Sequence, residues 1–455
     1  MGDAVIKMFM GIRVTDPMVM GTFFLGAAIV LIGFIIGRRS RTCENTNEPK
    51  SDEIIQEPEI QKSINTNNER NIGGNKRAKN KKRREAQQEF THSWVVGTLK
   101  GHTGPVLDIN FSSDDKFLAS CAEDRTVQIW CTKDLSSKER KSLRVNIDYD
   151  FATNVRVSPD GKAFIIHKSQ SNNVEVYGLR KKPNGFFASA TLVLEFPKRH
   201  EEDIVGMEIA CSGRFIMTCG KTNDLIVWDL KGEVLATVDT YLGSTHMAKI
   251  SPCGRFVAAS GFTPDVKVWE VGFTKTGEFK QITSAFNLGG HSSGVYDFDF
   301  NADSSLMASV SKDGTYRLYD TKIEFEKGED PHFILSGTWE NVTPTKMVMS
   351  PNGEVIVITH GSSLSFYSGI SGKLDTTIED IGFVSCLTFD ASGEYLLVAV
   401  DRYIRIIRNI PGYRSAIESA KRKLEQRQTS ATKERLEKVI ADSEKFLKSM
   451  GERVL

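Results

Sequence analysis

Four regimes of hydrophobic patterning follow one another along the chain. Residues 18–36 read MVMGTFFLGAAIVLIGFII, without a charge. As an α-helix this stretch rises roughly 28 Å, close to the thickness of a bilayer's hydrocarbon core. The pattern predicts a short N-terminal tail over 1–17 and a transmembrane helix over 18–36. The alternative, a cleaved signal peptide, has a shorter apolar core of about 7–15 residues and ends at a small-residue cleavage site. Here Arg38, Arg39 and Arg41 follow instead. Residues 37–93 lose apolar periodicity. Glu44, Glu48, Asp52, Glu53, Glu57 and Glu59 come first, then Lys76, Arg77, Lys79, Lys81, Lys82, Arg83 and Arg84. Such a segment cannot bury enough apolar area to offset the entropy of ordering it, so a disordered charged linker with a basic cluster at 76–84 is expected. From 94 to 410 short apolar runs alternate with Gly, Asp, Asn and Ser turns, the signature of many short strands. From 411 to 455 the period becomes helical, with Ile417, Ala420 and Leu424, then Leu436, Ile440 and Leu447, in a background of good helix formers. Two helices are expected after Pro411-Gly412, from Tyr413 to near Arg427 and from Ser430 to near Met450, with Thr429-Ser430 as a cap. A pair packed against the β region is the plain reading; a partner-binding helix is the sharper one.

The β region is repetitive. Its central strands begin near Phe117, Ala163, Arg214, Arg255, Leu306, Val355 and Tyr395, at gaps of 46, 51, 41, 51, 49 and 40 residues. Seven units of that length are what four-stranded propeller blades require. Trp94 to Lys100, WVVGTLK, lies before the first unit, and nothing strand-like follows Ile404–Ile407 in the last. An open ring would expose unpaired strand edges, so the N-terminal strand is expected to complete blade seven. Two units repeat at one spacing. Counting from His102 and from His291, a serine stands at +18 (Ser120, Ser309), an aspartate at +22 (Asp124, Asp313) and an aromatic at +28 (Trp130, Tyr319). This resembles the WD-repeat family and its structural tetrad, which the resemblance implies is a hydrogen-bonded chain tying neighbouring strands together. Units three and four end in Trp228 and Trp269, but their acids, Asp224 and Asp265, lie four residues before the tryptophan rather than six. Thr222 and Thr263 hold the tetrad position, so no tetrad is expected there. The fold class is therefore all-β, a seven-bladed WD-type propeller carrying an N-terminal transmembrane helix, a charged linker and a C-terminal helix pair.

Composition adds mainly exclusions. Lys plus Arg is 59 and Asp plus Glu is 58 in 455 residues, a net charge of +1. A globally basic nucleic-acid binder is excluded; a local basic patch is not. The 7 cysteines are odd in number and form no CxxC pair, which argues against a disulfide framework or a thiolate zinc site and for a reducing compartment. His, Asp and Ser together invite a catalytic-triad reading. The same set at the same spacing in two units suits scaffolding better than a single active site, and neither serine sits in a GxSxG elbow. There is no HExxH motif and no phosphate loop. No catalytic residue, metal, cofactor or small-molecule substrate is expected, and the chain does not read as an enzyme.

The cations flanking the apolar segment are denser on its C-terminal side, which places the propeller in the cytosol by the positive-inside rule. Ser251-Pro-Cys-Gly-Arg-Phe-Val257, Gly261-Phe-Thr-Pro-Asp-Val-Lys-Val-Trp-Glu270 and Gly277-Glu-Phe279 carry a closer likeness. So do Phe90-Thr-His92, Ser311-Lys-Asp-Gly-Thr315 and Pro411-Gly412. Together they resemble an endoplasmic-reticulum, membrane-anchored branch of the WD-repeat family. That resemblance implies a single-pass protein of the endoplasmic-reticulum membrane. It also implies a non-catalytic scaffold for proteins, among them a stress-sensing kinase and the translation machinery in the unfolded-protein response. The basic cluster at 76–84 is a candidate patch for an anionic partner, which makes an RNA- or ribosome-contacting adaptor the alternative. A small-GTPase exchange factor is a further alternative, weakened by the anchor preceding the propeller.

Overall fold

A computed structural model describes residues 90–132, 141–183, 185–340 and 345–453. All lie in one compact unit, Arg83–Leu455. Seven four-stranded antiparallel sheets follow one another along the chain. Their first strands are Val106–Phe111, Ala152–Val157, Ile204–Ile209, Thr245–Ile250, Val295–Phe300, Met347–Met349 and Val384–Phe389. Each contacts the first strand of the next sheet, and the last contacts the first. The sheets are thus blades of a closed propeller, with these strands around its axis. Val95–Lys100 closes the ring. It pairs antiparallel with Tyr403–Arg408, Thr98 opposite Arg405 and Leu99 opposite Ile404, and so supplies the fourth strand of blade seven.

Position in the blade explains each strand's composition. The second strands of blades one and three, Phe117–Ala122 and Ile216–Gly220, are buried along their whole length. Both of their faces meet a neighbouring blade, so they read as continuous apolar runs. Between blades one and two, for example, Phe117, Val127 and Ile129 pack with Val155, Phe164, Ile166 and Tyr177. The outer strands, such as Phe187–Glu195 and His332–Thr338, are largely exposed.

In six of the seven blades the turn between first and second strands uses one device. Ser112, Ser158, Ser251 and Ser350 each accept, at the side-chain oxygen, the backbone N–H five residues on, at 2.9 to 3.1 Å. Asn301 and Asp390 do the same in blades five and seven, at 2.9 and 2.8 Å. A short polar side chain that replaces a backbone acceptor stabilises such a reversal. Gly161, Gly254 and Gly353 stand in these turns at φ of 62°, 71° and 75°, where a Cβ would be strained.

Two helices follow the last blade, α1 (Ile410–Leu424) and α2 (Ser430–Ser449). The first begins at Ile410, ahead of Pro411-Gly412 rather than after it. Proline suits a helix's first turn because its missing N–H has no partner there anyway. Asn409 caps it, accepting the Gly412 N–H at 3.0 Å, and Thr429 caps α2. Ile410, Ile417 and Leu447 join Trp94, Phe366 and Ile407 in the core shared with blades six and seven. Arg414 donates to Asp375 at 2.6 Å and to Glu452 at 2.7 Å, and Trp94 Nε1 donates to Glu452 at 2.6 Å. The segment 18–36, the rest of the linker up to Glu89 and the basic cluster 76–84 lie outside the described residues. Among those described, no helix is long and apolar enough to cross a membrane.

Candidate functional site

The histidine constellations come first. In blade one, His102 Nε2 lies 2.8 Å from Ser120 Oγ, which also accepts Trp130 Nε1–H at 2.9 Å. His102 Nδ1 lies 3.2 Å from Asp124, which is held in turn by the N–H groups of Thr103 and Thr126 at 2.8 and 3.1 Å. All four residues are thereby joined. Burial pushes the His102 pKa down and Asp124 opposes it only in part. In blade five, His291 meets Ser309 at 2.9 Å and Asp313 at 3.2 Å. Burial acts to raise Asp313, but hydrogen bonds from Thr315 and Ser292, with His291 beside it, outweigh that and hold its pKa at about 2. Tyr319 departs from the expected chain. Its hydroxyl donates to the Gly289 carbonyl at 2.6 Å, with Ser309 beside the phenol oxygen on the donor's side. An indole carries its N–H on the flank of the ring; a phenol carries its O–H at the tip, where it can reach a backbone carbonyl.

Blade three corrects the sequence reading. Asp224 pairs with His200 Nδ1. His200 Nε2 lies 2.6 Å from Thr218 Oγ1, which accepts Trp228 Nε1–H at 2.7 Å. The chain is complete, with threonine for serine and the acid moved from +22 to +24. In blades one and five the +24 position holds Thr126 and Thr315, each 3.2 or 3.1 Å from the histidine and bonded to the aspartate. In blade three the two residue types are exchanged in sequence, and Thr222 at +22 donates to Asp224 at 2.9 Å. The signal was the +18 and +28 spacing from a histidine that no glycine precedes. Blade four has no such chain, and its buried Ser260 and Thr263 hydroxyls lack a partner among the described residues.

The channel holds a second constellation, one that no motif announced. The fifth residues of the first strands in blades two to five are Arg156, Glu208, Lys249 and Asp299. Their signs alternate around the axis. Arg156 Nε donates to Glu208 at 2.9 Å and Lys249 Nζ to Asp299 at 3.1 Å. Arg156 also pairs with Asp108, and Lys249 with Asp297 at 3.4 Å. Asp108 and Asp297 further accept the N–H groups of Val155 and Met347, at 3.0 and 2.9 Å, each on the following blade's inner strand. Burial pushes the Glu208 and Asp299 carboxyls up despite their cationic partners, and pushes the Cys386 thiol up to about 12. The cavity among these groups measures about 220 Å³. Every one of these six ions has a partner, so the network ties blade to blade. A charge at alternate positions of an otherwise apolar strand was the readable trace.

Two features face outward. In an up-and-down sheet, the loops between blades and the loops joining second to third strands emerge at the same end. Tyr149, Tyr241 and Phe383 stand in loops between blades, and Phe262 between the second and third strands of blade four. All four are exposed, Tyr149 at 91 %. Tyr149 and Tyr241 have φ of 59° and 51°. Bulky residues hold that conformation at a cost, and here no burial offsets it. At the same end, between blades seven and one, lies a groove of about 850 Å³ lined by Phe90, Leu107, Ile381, Phe383, Val400 and Arg405 among others. Among the described residues no group of His, Cys, Asp or Glu is arranged to hold a metal ion.

Comparisons with known proteins follow this geometry. The family described as WD domain, G-beta repeat matches residues 93–131 and 282–320, which span the two units with GH-initiated constellations. The chain is 38 % identical over 377 residues to transducin beta-like protein 2 of Homo sapiens, covering 82 % of this chain and 84 % of that one. It is 38 % identical over 409 residues to the protein of that name from Mus musculus, covering 88 % and 92 %. Nuclear distribution protein PAC1 of Arthroderma benhamiae is 24 % identical over 256 residues, 51 % of this chain and 54 % of that one.

Proposed function

The chain belongs to the transducin beta-like protein 2 family of WD-repeat proteins, and from that premise we propose that it is a non-catalytic, membrane-anchored scaffold. The propeller stands on the cytosolic face of the endoplasmic-reticulum membrane, held by a helix over 18–36 and a linker over 37–93. One observation carries the binding role: exposed aromatics gathered at one end of the ring, two of them in a strained backbone conformation. Side chains that cost stability without being buried are what a surface selected for binding retains. The His–Ser–Asp and His–Thr–Asp groups serve as buried ties between strands, since they recur from blade to blade. The partners are proteins, by family likeness a stress-sensing kinase and the translation machinery. Tethering raises the propeller's concentration near membrane-bound partners.

A second reading rests on the seven cations between Lys76 and Arg84, an anionic-partner patch for RNA or the ribosome surface. Binding through it falls steeply with salt because counterions are released. Replacing Lys79–Arg84 with neutral residues abolishes RNA recovery if this reading holds.

The test of the first reading is protease protection on sealed membranes, with an epitope after Leu455. Digestion without detergent is expected. Protection until detergent is added puts the propeller in the lumen and overturns the cytosolic scaffold.

A further inference from the structure

The groove between blades seven and one contains a cation that no described carboxylate pairs with. Arg405 is 8 % exposed, and Nη1 donates to the Ile381 carbonyl. Its guanidinium lies 4.6 Å from the centre of the Phe90 ring. No carboxylate among the described residues comes within ion-pair distance of it. The basic side chains that line the channel or fix the helices, Arg156, Lys249 and Arg414, all have acids. A buried guanidinium left with one carbonyl and one ring retains donors that a carboxylate satisfies well. Burial lowers its affinity for the proton, with only Tyr403 acting the other way.

The walls define the rest of the ligand. Leu107, Val400 and Phe383 give an apolar lining, and Phe383, 60 % exposed, forms a free lip. Asp380 and Asp401 also line the groove and are exposed, at φ of 56° and 51°. Two rim carboxylates repel a run of acidic residues but accept cations on either side of a single carboxylate.

We propose that this groove binds a short extended segment of a partner protein presenting one carboxylate beside an aliphatic or aromatic side chain, flanked by basic residues. The carboxylate meets Arg405, the apolar side chain packs against Phe383 and Val400, and the flanking cations face Asp380 and Asp401. The proposal rests on the scaffold reading and supplies it with a site and a partner chemistry.

The test uses the full-length chain in detergent micelles and short fluorescein-labelled peptides, read by fluorescence anisotropy. One set holds a single glutamate next to leucine, isoleucine or phenylalanine, with lysines flanking; a matched set holds glutamine instead. At least one glutamate peptide is expected to bind saturably, and its glutamine counterpart roughly tenfold more weakly. Arg405→Met removes that difference. Because Arg405→Met can also harm folding, Phe383→Ala serves as the second variant: it weakens both sets while leaving the melting temperature unchanged. Asp380→Asn with Asp401→Asn admits peptides bearing a run of glutamates that the parent chain rejects. Equal binding of the two sets, or binding of neither, overturns the proposal, as does displacement of the bound peptide by single-stranded RNA. A chain that binds neither set yet still recovers proteins from solubilised membranes loses the groove and keeps the scaffold.

Discussion

At the scale of single residues, hydroxyl chemistry decides how each histidine is held. Thr218 is completely buried and serves two neighbours at once, His200 Nε2 and Trp228 Nε1. Thr218→Val keeps the shape and removes the oxygen, leaving an indole N–H and an imidazole nitrogen buried without partners. A loss of about 2–3 kcal/mol is expected, read from urea unfolding followed by tryptophan fluorescence, because orphaned buried donors cost their full desolvation. Thr218→Ser should recover most of it. A loss no larger than a surface substitution gives would mean that blade three does not depend on the chain. The exchange of Thr222 and Asp224 makes a related point. Both residue types lie where the blade-one arrangement predicts a polar partner, and the histidine accepts the aspartate from either position, Asp124 at +22 or Asp224 at +24.

Among the elements, the C-terminal helices are part of the core. Residues 411–455 read as a helical tail, with good helix formers and a modest apolar stripe. The stripe's purpose appears only in contact: Leu447 of α2 is fully buried in the cluster that holds Trp94 of the entering chain and Ile407 of the last full strand. The two ends of the propeller chain are thus clamped together beside the closing strand. Leu447→Ala should cost about 3 kcal/mol, the middle of the range for a leucine truncated in a core. The same variant should speed proteolysis near Trp94, since the cavity opens at the closure. Thermal melting and mass mapping of early cleavage sites check both; cleavage confined to α2 would show that helix and closure are independent.

The whole molecule sets the pH response, because buried histidines recur around the ring. His102, His167 and His291 have pKa values lowered from 6.5 by burial. A depressed histidine is neutral when folded. It contributes stability that is present above its unfolded pKa and lost as pH falls below it. Asp124, Asp224 and Asp313 are depressed from 3.8 and contribute stability that is lost only as pH falls further, toward the folded value of about 2 at Asp313. Glu208 and Asp299, raised by burial from 4.5 and 3.8, act in the opposite sense and at higher pH: the cost of their charge is relieved as pH falls through the raised folded values toward the unfolded ones. The melting temperature should therefore drop between about pH 7 and about pH 5.5 as the histidines protonate, with Glu208 and Asp299 acting against the drop. His291→Gln should flatten that drop. A flat profile in the parent chain would show that these imidazoles can protonate where they are.

Much of the architecture is local in origin and therefore legible in the chain itself. Strand spacing, the Ser and Asn turns and the leading strand Trp94–Lys100 specify seven blades and their closure, because each blade's register depends on turns only a few residues long. The constellations of His102 and His291 are legible for the same reason, each lying within one blade. Tertiary structure decided what spans blades. Arg156 reaches Asp108 and Glu208 from neighbouring blades, pairings that no spacing within a unit encodes. It also decided that Tyr319 turns to Gly289, since ring length and not sequence position settles which acceptor is in reach. And it decided the standing of Arg405. In sequence this is one basic residue in an alternating strand; in the ring it is a buried cation in a groove made by residues some 300 positions apart, with no carboxylate among the described residues within ion-pair distance.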